Sequence, residues 1–267
     1  MKRREFLKSS AAAATLAATT AVLESSAAET KNPMREFYEL RLYHLRRGPQ
    51  TKLFDNFYRD AALPAMNRAG IEPVGVFSVM YGPDSPTMYV LMPHKSLDAF
   101  AEANERVRAD AEYQKKGAEF INATPTEPSY IRTESFLLHA FSGWPKIKVP
   151  AAATDNKARI FELRMYESHS KKANTKKIEM FNNGEIDIFR RTGLKPVFFG
   201  ETMIGSKMPN LIYMLTFENM AEREKNWSQF IADPDWKTMS TTPGYTDAEV
   251  VCNITNFFLR PTGYSQI

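Results

Sequence analysis

Two short segments of the 267-residue chain carry an acid, a guanidinium and a phenol at alternating positions: Glu39, Arg41 and Tyr43, then Glu162, Arg164 and Tyr166. In an extended strand successive side chains point to opposite faces, so each triplet shares one face. Tyr38, Leu40 and Leu42 form the other face of the first segment. The apolar face is expected to pack on helices, which aims Glu39, Arg41 and Tyr43 at a helix-free face buried by sheet pairing. Charges in such a place must be paired or must meet a polar ligand. One reading is a Glu–Arg ion pair that links two sheets or fixes strand register. The other is ligand binding, with Arg anchoring a carboxylate or another anionic group and Tyr donating a hydrogen bond. The two Glu side chains are general-base candidates if burial raises their pKa. These six residues are the candidate ligand-binding set; no catalytic residue is assigned.

Other reactive side chains give weaker patterns. His44, His94, His139 and His169 lack the i, i+4 spacing of a helical metal pair and have no accompanying carboxylate motif, so no metal site is predicted. They read first as surface or loop histidines; an axial haem ligand from one of them is the single cofactor alternative. Lys171, Lys172, Lys176 and Lys177 cluster at a helix start, where cations oppose the helix dipole, and read as a solvated face open to an anion or headgroup. Trp227, Phe230 and Trp236 read as core residues. A phosphate loop, a nucleophile elbow and a nucleic-acid signature are all missing. The single cysteine, Cys252, excludes an internal disulfide.

The elements that position these residues are written twice. Tyr38-Glu39-Leu40-Arg41-Leu42-Tyr43 returns 123 positions later as Phe161-Glu162-Leu163-Arg164-Met165-Tyr166, and Gly70-Ile71-Glu72-Pro73-Val74 returns at the same offset as Gly193-Leu194-Lys195-Pro196-Val197. Pro86 and Pro209, Asp110 and Asp233, and Tyr113 and Trp236 keep that offset, which marks an internal duplication. Periodicity predicts strands near 36–44, 72–81, 87–92 and 129–139, with helices from Gln50 to Ala69 and from Leu97 to Ala111. The second copy repeats this order near 159–166, 172–192, 195–204, 210–217, 220–232 and 249–259, its last helix interrupted by Asp233-Pro234. The order β-α-β-β-α-β is the ferredoxin-like unit, an antiparallel sheet with both helices on one face. The expected fold class is therefore α+β: two tandem ferredoxin-like units, at 36–139 and 159–260, joined by a linker at 140–157 and packed sheet against sheet into a barrel.

The Tyr/Phe-Glu-Leu-Arg-x-Tyr strand, the Gly-x-x-Pro-Val segment, and the run Arg223, Trp227, Phe230, Asp233-Pro234-Asp235-Trp236 resemble the NIPSNAP family. That resemblance implies domains of the dimeric α/β-barrel group, here joined in one chain. The second copy is closer to the family pattern; in the first, Asn104 stands for Trp227, Ala111 for Pro234 and Tyr113 for Trp236. The wider group includes cofactor-free monooxygenases, haem-degrading enzymes and isomerases, a fold-level analogy that does not define activity.

The chain opens with Arg3-Arg4-Glu5-Phe6-Leu7-Lys8, an Ala/Thr-rich run from Ala11 to Leu23, and Ser26-Ala27-Ala28. A basic region, a short apolar region and small residues before a cut constitute an export signal, and the paired arginines resemble a twin-arginine leader. The apolar run falls short of the roughly 20 residues that span a bilayer. Cleavage after residue 28 would leave a mature chain of formal charge +2, down from +4 for the whole sequence. A periplasmic location and no membrane span in the mature chain are expected. The leading functional expectation is an exported protein that binds a small organic ligand in a pocket of the tandem barrel. The alternatives are a cofactor-free or haem-dependent monooxygenase or isomerase, and an interaction protein with a filled barrel. Homo-oligomerisation is left open.

Overall fold

The computed structural model describes residues 34–81, 85–155 and 157–267. The leader expected over residues 1–28 lies outside them. Strand β1 (Phe37–His44) leads into a helix over residues 49–68, α1, with Pro49 in its first turn. Gly70, at φ +80°, ends α1 in the left-handed conformation that a Cβ disfavours. The antiparallel strands β2 (Gly75–Tyr81) and β3 (Thr87–His94) follow. Helix α2 (Leu97–Ala109) is capped by the Ser96 side chain, which accepts from the Ala99 N–H. Short helices α3 (Ala111–Lys116) and α4 (Ala118–Ile121) precede β4 (Arg132–Ala140).

In the linker, Phe141 pairs with Trp144, and the Trp144 indole donates to the Val197 carbonyl at 3.1 Å ahead of α5 (Ala151–Thr154). The second copy comprises β5 (Ile160–Glu167), α6 over residues 171–191, β6 (Lys195–Ile204) and β7 (Asn210–Phe217). It continues with α7 (Met220–Ala232), α8 (Pro234–Thr241), α9 (Asp247–Val250) and β8 (Asn253–Pro261). Both long helices widen by one residue at matching places. In α1 the Leu63 N–H reaches back to the Tyr58 carbonyl, and in α6 the Ile186 N–H reaches the Phe181 carbonyl. Such π turns often mark functional sites.

The eight strands close into an antiparallel barrel in the order β1-β3-β2-β8-β5-β7-β6-β4. Each copy contributes a four-strand sheet, and the seams β2–β8 and β4–β6 join them. Closure pairs every sheet edge. Inside the barrel, Tyr38, Leu40 and Leu42 pack with Phe161, Leu163 and Met165 and with residues of the other strands. This reverses the expected orientation of β1. Its apolar face meets the other copy across the barrel, and the face carrying Glu39, Arg41 and Tyr43 lies under the helices of its own copy. Tyr43 packs with the helix residues Phe54, Tyr58 and Phe120, and Tyr166 packs with Phe181. Among the described residues no helix is long and apolar enough to cross a membrane.

The predicted helix over 97–111 breaks at Asp110 even though no proline follows. The Asp110 side chain accepts from the Tyr113 N–H and caps α3, as Asp233 caps α8 by accepting from the Asp235 and Trp236 N–H groups. Both aspartates are also clasped by arginine: Arg68 donates to Asp110 through two bonds of 2.8 Å, and Arg191 to Asp233 through bonds of 2.9 and 2.6 Å. The arginine hydrogen bonds hold both carboxyls down at about 2, from an ordinary 3.8. A depressed folded-state pKa means that the stabilisation is present above the unfolded value and is lost as pH falls through the folded value. The double variant Asp110→Asn/Asp233→Asn keeps an acceptor oxygen for each cap. It should melt below the unsubstituted protein at neutral pH and lose less melting temperature between about pH 4 and pH 2. Thermal unfolding followed by circular dichroism checks this, and equal pH slopes for the two proteins would refute it.

Candidate functional site

The two triplets do not meet. Each forms the floor of a separate cavity between its own sheet and its own helices. In the first copy the Arg41 Nε donates to Glu39 Oε1 at 2.7 Å, and Nη1 lies 3.5 Å from the Tyr43 hydroxyl. Ser135 Oγ donates to the same Glu39 oxygen at 2.9 Å, while Glu39 Oε2 is buried without a partner. The surrounding cavity, about 530 Å³, is walled by Phe57, Tyr58, Met66, Phe100, Asn104 and Tyr113.

The second copy keeps this floor and adds charge and aromatic surface. Glu162 is fully buried and accepts from Arg164 Nη1 at 2.6 Å, Arg223 Nη2 at 2.9 Å and the Trp227 indole at 2.9 Å. Burial alone would raise this carboxyl, but the Arg223 hydrogen bond, the Arg164 charge and the indole together hold it below its ordinary range. Arg164 also donates to the Tyr166 hydroxyl at 3.1 Å, and that hydroxyl lies 2.9 Å from the Tyr213 hydroxyl. The Arg164 guanidinium stands 4.5 Å from the centre of the Trp227 ring.

The cavity above measures about 500 Å³ and is lined by Arg164, Tyr166, Lys177, Glu185, Arg223, Trp227 and Trp236, among others. Lys177 is 1% exposed, and its ammonium donates to both Glu185 oxygens at 3.2 and 2.9 Å. It also lies 4.8 Å from the Phe181 ring centre and 5.4 Å from that of Trp236. Burial raises the Glu185 carboxyl above its ordinary range despite the lysine beside it. Glu185 ends the π turn of α6.

Sequence reading missed two of these residues. Lys177 belongs to the lysine cluster expected to be solvated, yet only its neighbours behave so: Lys171 pairs with Glu201 and Lys176 with Glu179 at the surface. Glu185 was not singled out at all. The signal available was the offset between copies, which sets Lys177 against Phe54 and Glu185 against Ala62. Trp227 and Trp236, expected as core, are half-buried and face the cavity. None of the four histidines lines either helix-side cavity. His44 lies at the barrel mouth, His94 and the part-buried His139 lie against Phe100 and Phe37, and His169 is exposed. No cluster of three or more metal-ligating side chains occurs among the described residues.

An eight-strand barrel closed by two βαββαβ halves, with a pocket under the helices of each half, defines the dimeric α/β-barrel class, here within one chain. A family model described as NIPSNAP matches residues 38–127 and 161–266, one match per copy, and the chain belongs to the NIPSNAP family. Among solved structures it is similar to a "putative monooxygenase" from Lactobacillus acidophilus, at 8% identity and a TM-score of 0.57 over 85% of this chain and 94% of that one. An anthrone oxidase-like protein aligns at 11% identity and a TM-score of 0.50 over 86% of this chain and 93% of that one. An uncharacterized NIPSNAP-like domain protein from Burkholderia xenovorans aligns at 20% identity and a TM-score of 0.36, covering 40% of this chain and 88% of its own. At these identities the likeness concerns the fold. No curated protein matches the chain.

Removing one partner of a buried ion pair strands the other charge, at a cost of about 3–5 kcal/mol. Lys177→Ala should therefore destabilise the protein by about that amount in urea unfolding. The double variant Lys177→Phe/Glu185→Ala, which installs the first copy's residues, should recover most of the loss. If the double variant is no more stable than Lys177→Ala, the pair is not the energetic unit described.

Proposed function

We propose that this NIPSNAP-family protein binds a small organic anion with a flat unsaturated body in the helix-side cavity of its second copy. The observation that carries the reading is the Lys177–Glu185 pair, buried against a ligand-sized cavity at positions where the first copy builds the same helix from Phe54 and Ala62. The fold stands without these charges, and apolar replacements of a buried ion pair are often neutral or stabilising. Their presence is therefore accounted for by what enters the cavity. Its inner charges are three cations, Arg164, Lys177 and the part-exposed Arg223, against two carboxylates, Glu162 and Glu185, and the exposed Glu224 and Asp247 stand at its rim. Arg164 and Arg223 present the guanidinium donors that an anionic group takes up, while Trp227, Phe230 and Trp236 offer faces for a planar body. Of the six residues expected from sequence, Glu162, Arg164 and Tyr166 belong to this site. Glu39, Arg41 and Tyr43 floor the counterpart cavity.

The test uses 4-hydroxybenzoate as probe, titrated against the purified protein with tryptophan fluorescence as readout, alongside native mass spectrometry for a co-purifying small molecule. Arg164→Gln and Lys177→Met should each weaken binding about tenfold or more, the scale of one charge-assisted hydrogen bond, and Arg41→Gln should not. Equal losses from Arg41→Gln and Arg164→Gln, or no saturable quenching, would sink the assignment.

A second reading, proton-transfer chemistry of the cofactor-free oxygenase or isomerase kind, is favoured by Glu185. It is a carboxyl raised by burial, facing a cavity, the environment that suits a general base. Its address is a further proposal, resting on residues 1–28 alone: export to the periplasm by a twin-arginine leader. The variant Arg3→Lys/Arg4→Lys should keep the protein in the bacterial cytoplasm. Export undiminished by that change, measured by cell fractionation, would refute the leader.

A further inference from the structure

The barrel interior is filled at one end and open at the other. At the filled end Tyr38 meets Phe198 edge-on with ring centres 5.3 Å apart, and Phe77 meets Phe161 at 4.8 Å. Further along the same strands the inward residues become Leu40 and Leu42 on β1, Leu163 and Met165 on β5, and Ile212 on β7. They surround a cavity of about 200 Å³. An eight-strand barrel is just wide enough to be filled by side chains or to hold one small ligand, and this one does the first at one end and leaves room for the second at the other. A cavity of about 150 Å³ lined by Leu, Ile and Phe stays dry and takes benzene, so this one has room for one substituted ring.

The mouth narrows the chemistry. His44, 6% exposed, has its Nε2 3.0 Å from Glu134 Oε1 and its Nδ1 3.3 Å from Thr87 Oγ1. Arg132 donates to the same Glu134 oxygen at 3.0 Å, so a carboxylate is fixed at the rim. Lys207, the other charge there, sits at φ +58° and points its ammonium towards Glu167, 3.7 Å away. Of the two charged side chains that line this end, Lys207 is drawn towards Glu167 and Glu134 presents its carboxylate. An anionic ligand would meet Glu134, whereas a hydroxyl donor finds an oriented acceptor there.

We propose that the open end of the barrel is a second binding site, for a compact, uncharged, largely apolar molecule bearing one hydroxyl, a simple phenol in chemical class. It is separate from the helix-side site because β5 divides them: Leu163 and Met165 point inward and Arg164 and Tyr166 outward.

The probe is p-cresol, which lacks the carboxylate required at the helix-side site. It is titrated against the full chain labelled with 13C at the methionine methyls. Saturable binding with nuclear Overhauser contacts between the cresol ring and the Met165 methyl is expected. Met165→Phe and Thr255→Phe, the latter adding bulk at a half-exposed position of the mouth, should each weaken binding at least tenfold. If Met165→Phe does not fold, Thr255→Phe decides. Absence of saturable binding, contacts to the Trp227 or Trp236 indoles in place of Met165, or undiminished affinity in Thr255→Phe would each overturn the proposal. Failure of cresol to bind leaves the binding of 4-hydroxybenzoate in the helix-side cavity untouched.

Discussion

The carboxylate of Glu162 has no contact with water and takes hydrogen bonds from side chains on two different elements. Arg164 comes from its own strand, and Arg223 and Trp227 come from α7 across the cavity. A buried carboxylate is tolerated only when such donors satisfy it. Meeting that demand fixes α7 over β5, sets the Trp227 ring against the Arg164 guanidinium and holds Arg223 at the cavity edge. The outer wall of the second cavity thus follows from the electrostatics of its floor. In the first copy Glu39 is served by Arg41 and Ser135, and Asn104, at the Trp227 position, donates instead to the Phe100 carbonyl of its own helix. There the helix is held by the Arg68–Asp110 clasp and by Arg106, which donates to the Ala69 carbonyl.

The closed barrel makes this arrangement affordable. The inner faces of the two four-strand sheets pack on each other through the Leu, Met and Phe side chains of both copies, apart from the open end of the barrel. Apolar burial from the other half is thereby added to the burial of each sheet against its own helices. With that support, the helix-side faces accommodate the Glu–Arg pairs and a cavity beside their apolar clusters. Both helix-side cavities and the open barrel end lie against β1 and β5, each of which sends its aliphatic residues into the barrel and its charged residues towards its own helices.

The duplication and the strand and helix order were legible because a constant offset and two periodicities survive in one sequence. The orientation of β1 was not. Alternation assigns Tyr38, Leu40 and Leu42 to one face, but which face meets the helices depends on whether the other face is covered by a second sheet, and no local pattern encodes that. The helix break at Asp110 was hidden for the opposite reason. Proline announces the break at Pro234, whereas at Ala111 only the capping aspartate remains. Lys177 was concealed in a run of lysines, and its burial depends on Glu185, which lies across a π turn at a spacing that helical periodicity does not pair. Glu162 and Arg164 were found because their type conflicts with their setting: two charges in a strand otherwise fit for a core.

Two copies in one chain are free to diverge in a way that a symmetric homodimer is not, since any change to a homodimer's chain appears in both halves. The barrel uses that freedom unevenly. Phe54, Ala62 and Val90 in the first copy stand where the second has Lys177, Glu185 and Tyr213, so the first copy's helix rests on apolar contacts and the second's on a buried ion pair and a Tyr166–Tyr213 hydroxyl contact. Buried charge tends to cost stability where hydrophobic packing would do. In a closed barrel that cost is shared, because the strands of both copies form one hydrogen-bonded ring and neither half opens without disturbing the other. The first copy thereby acts as the stable half of a scaffold whose second half carries the polar cavity.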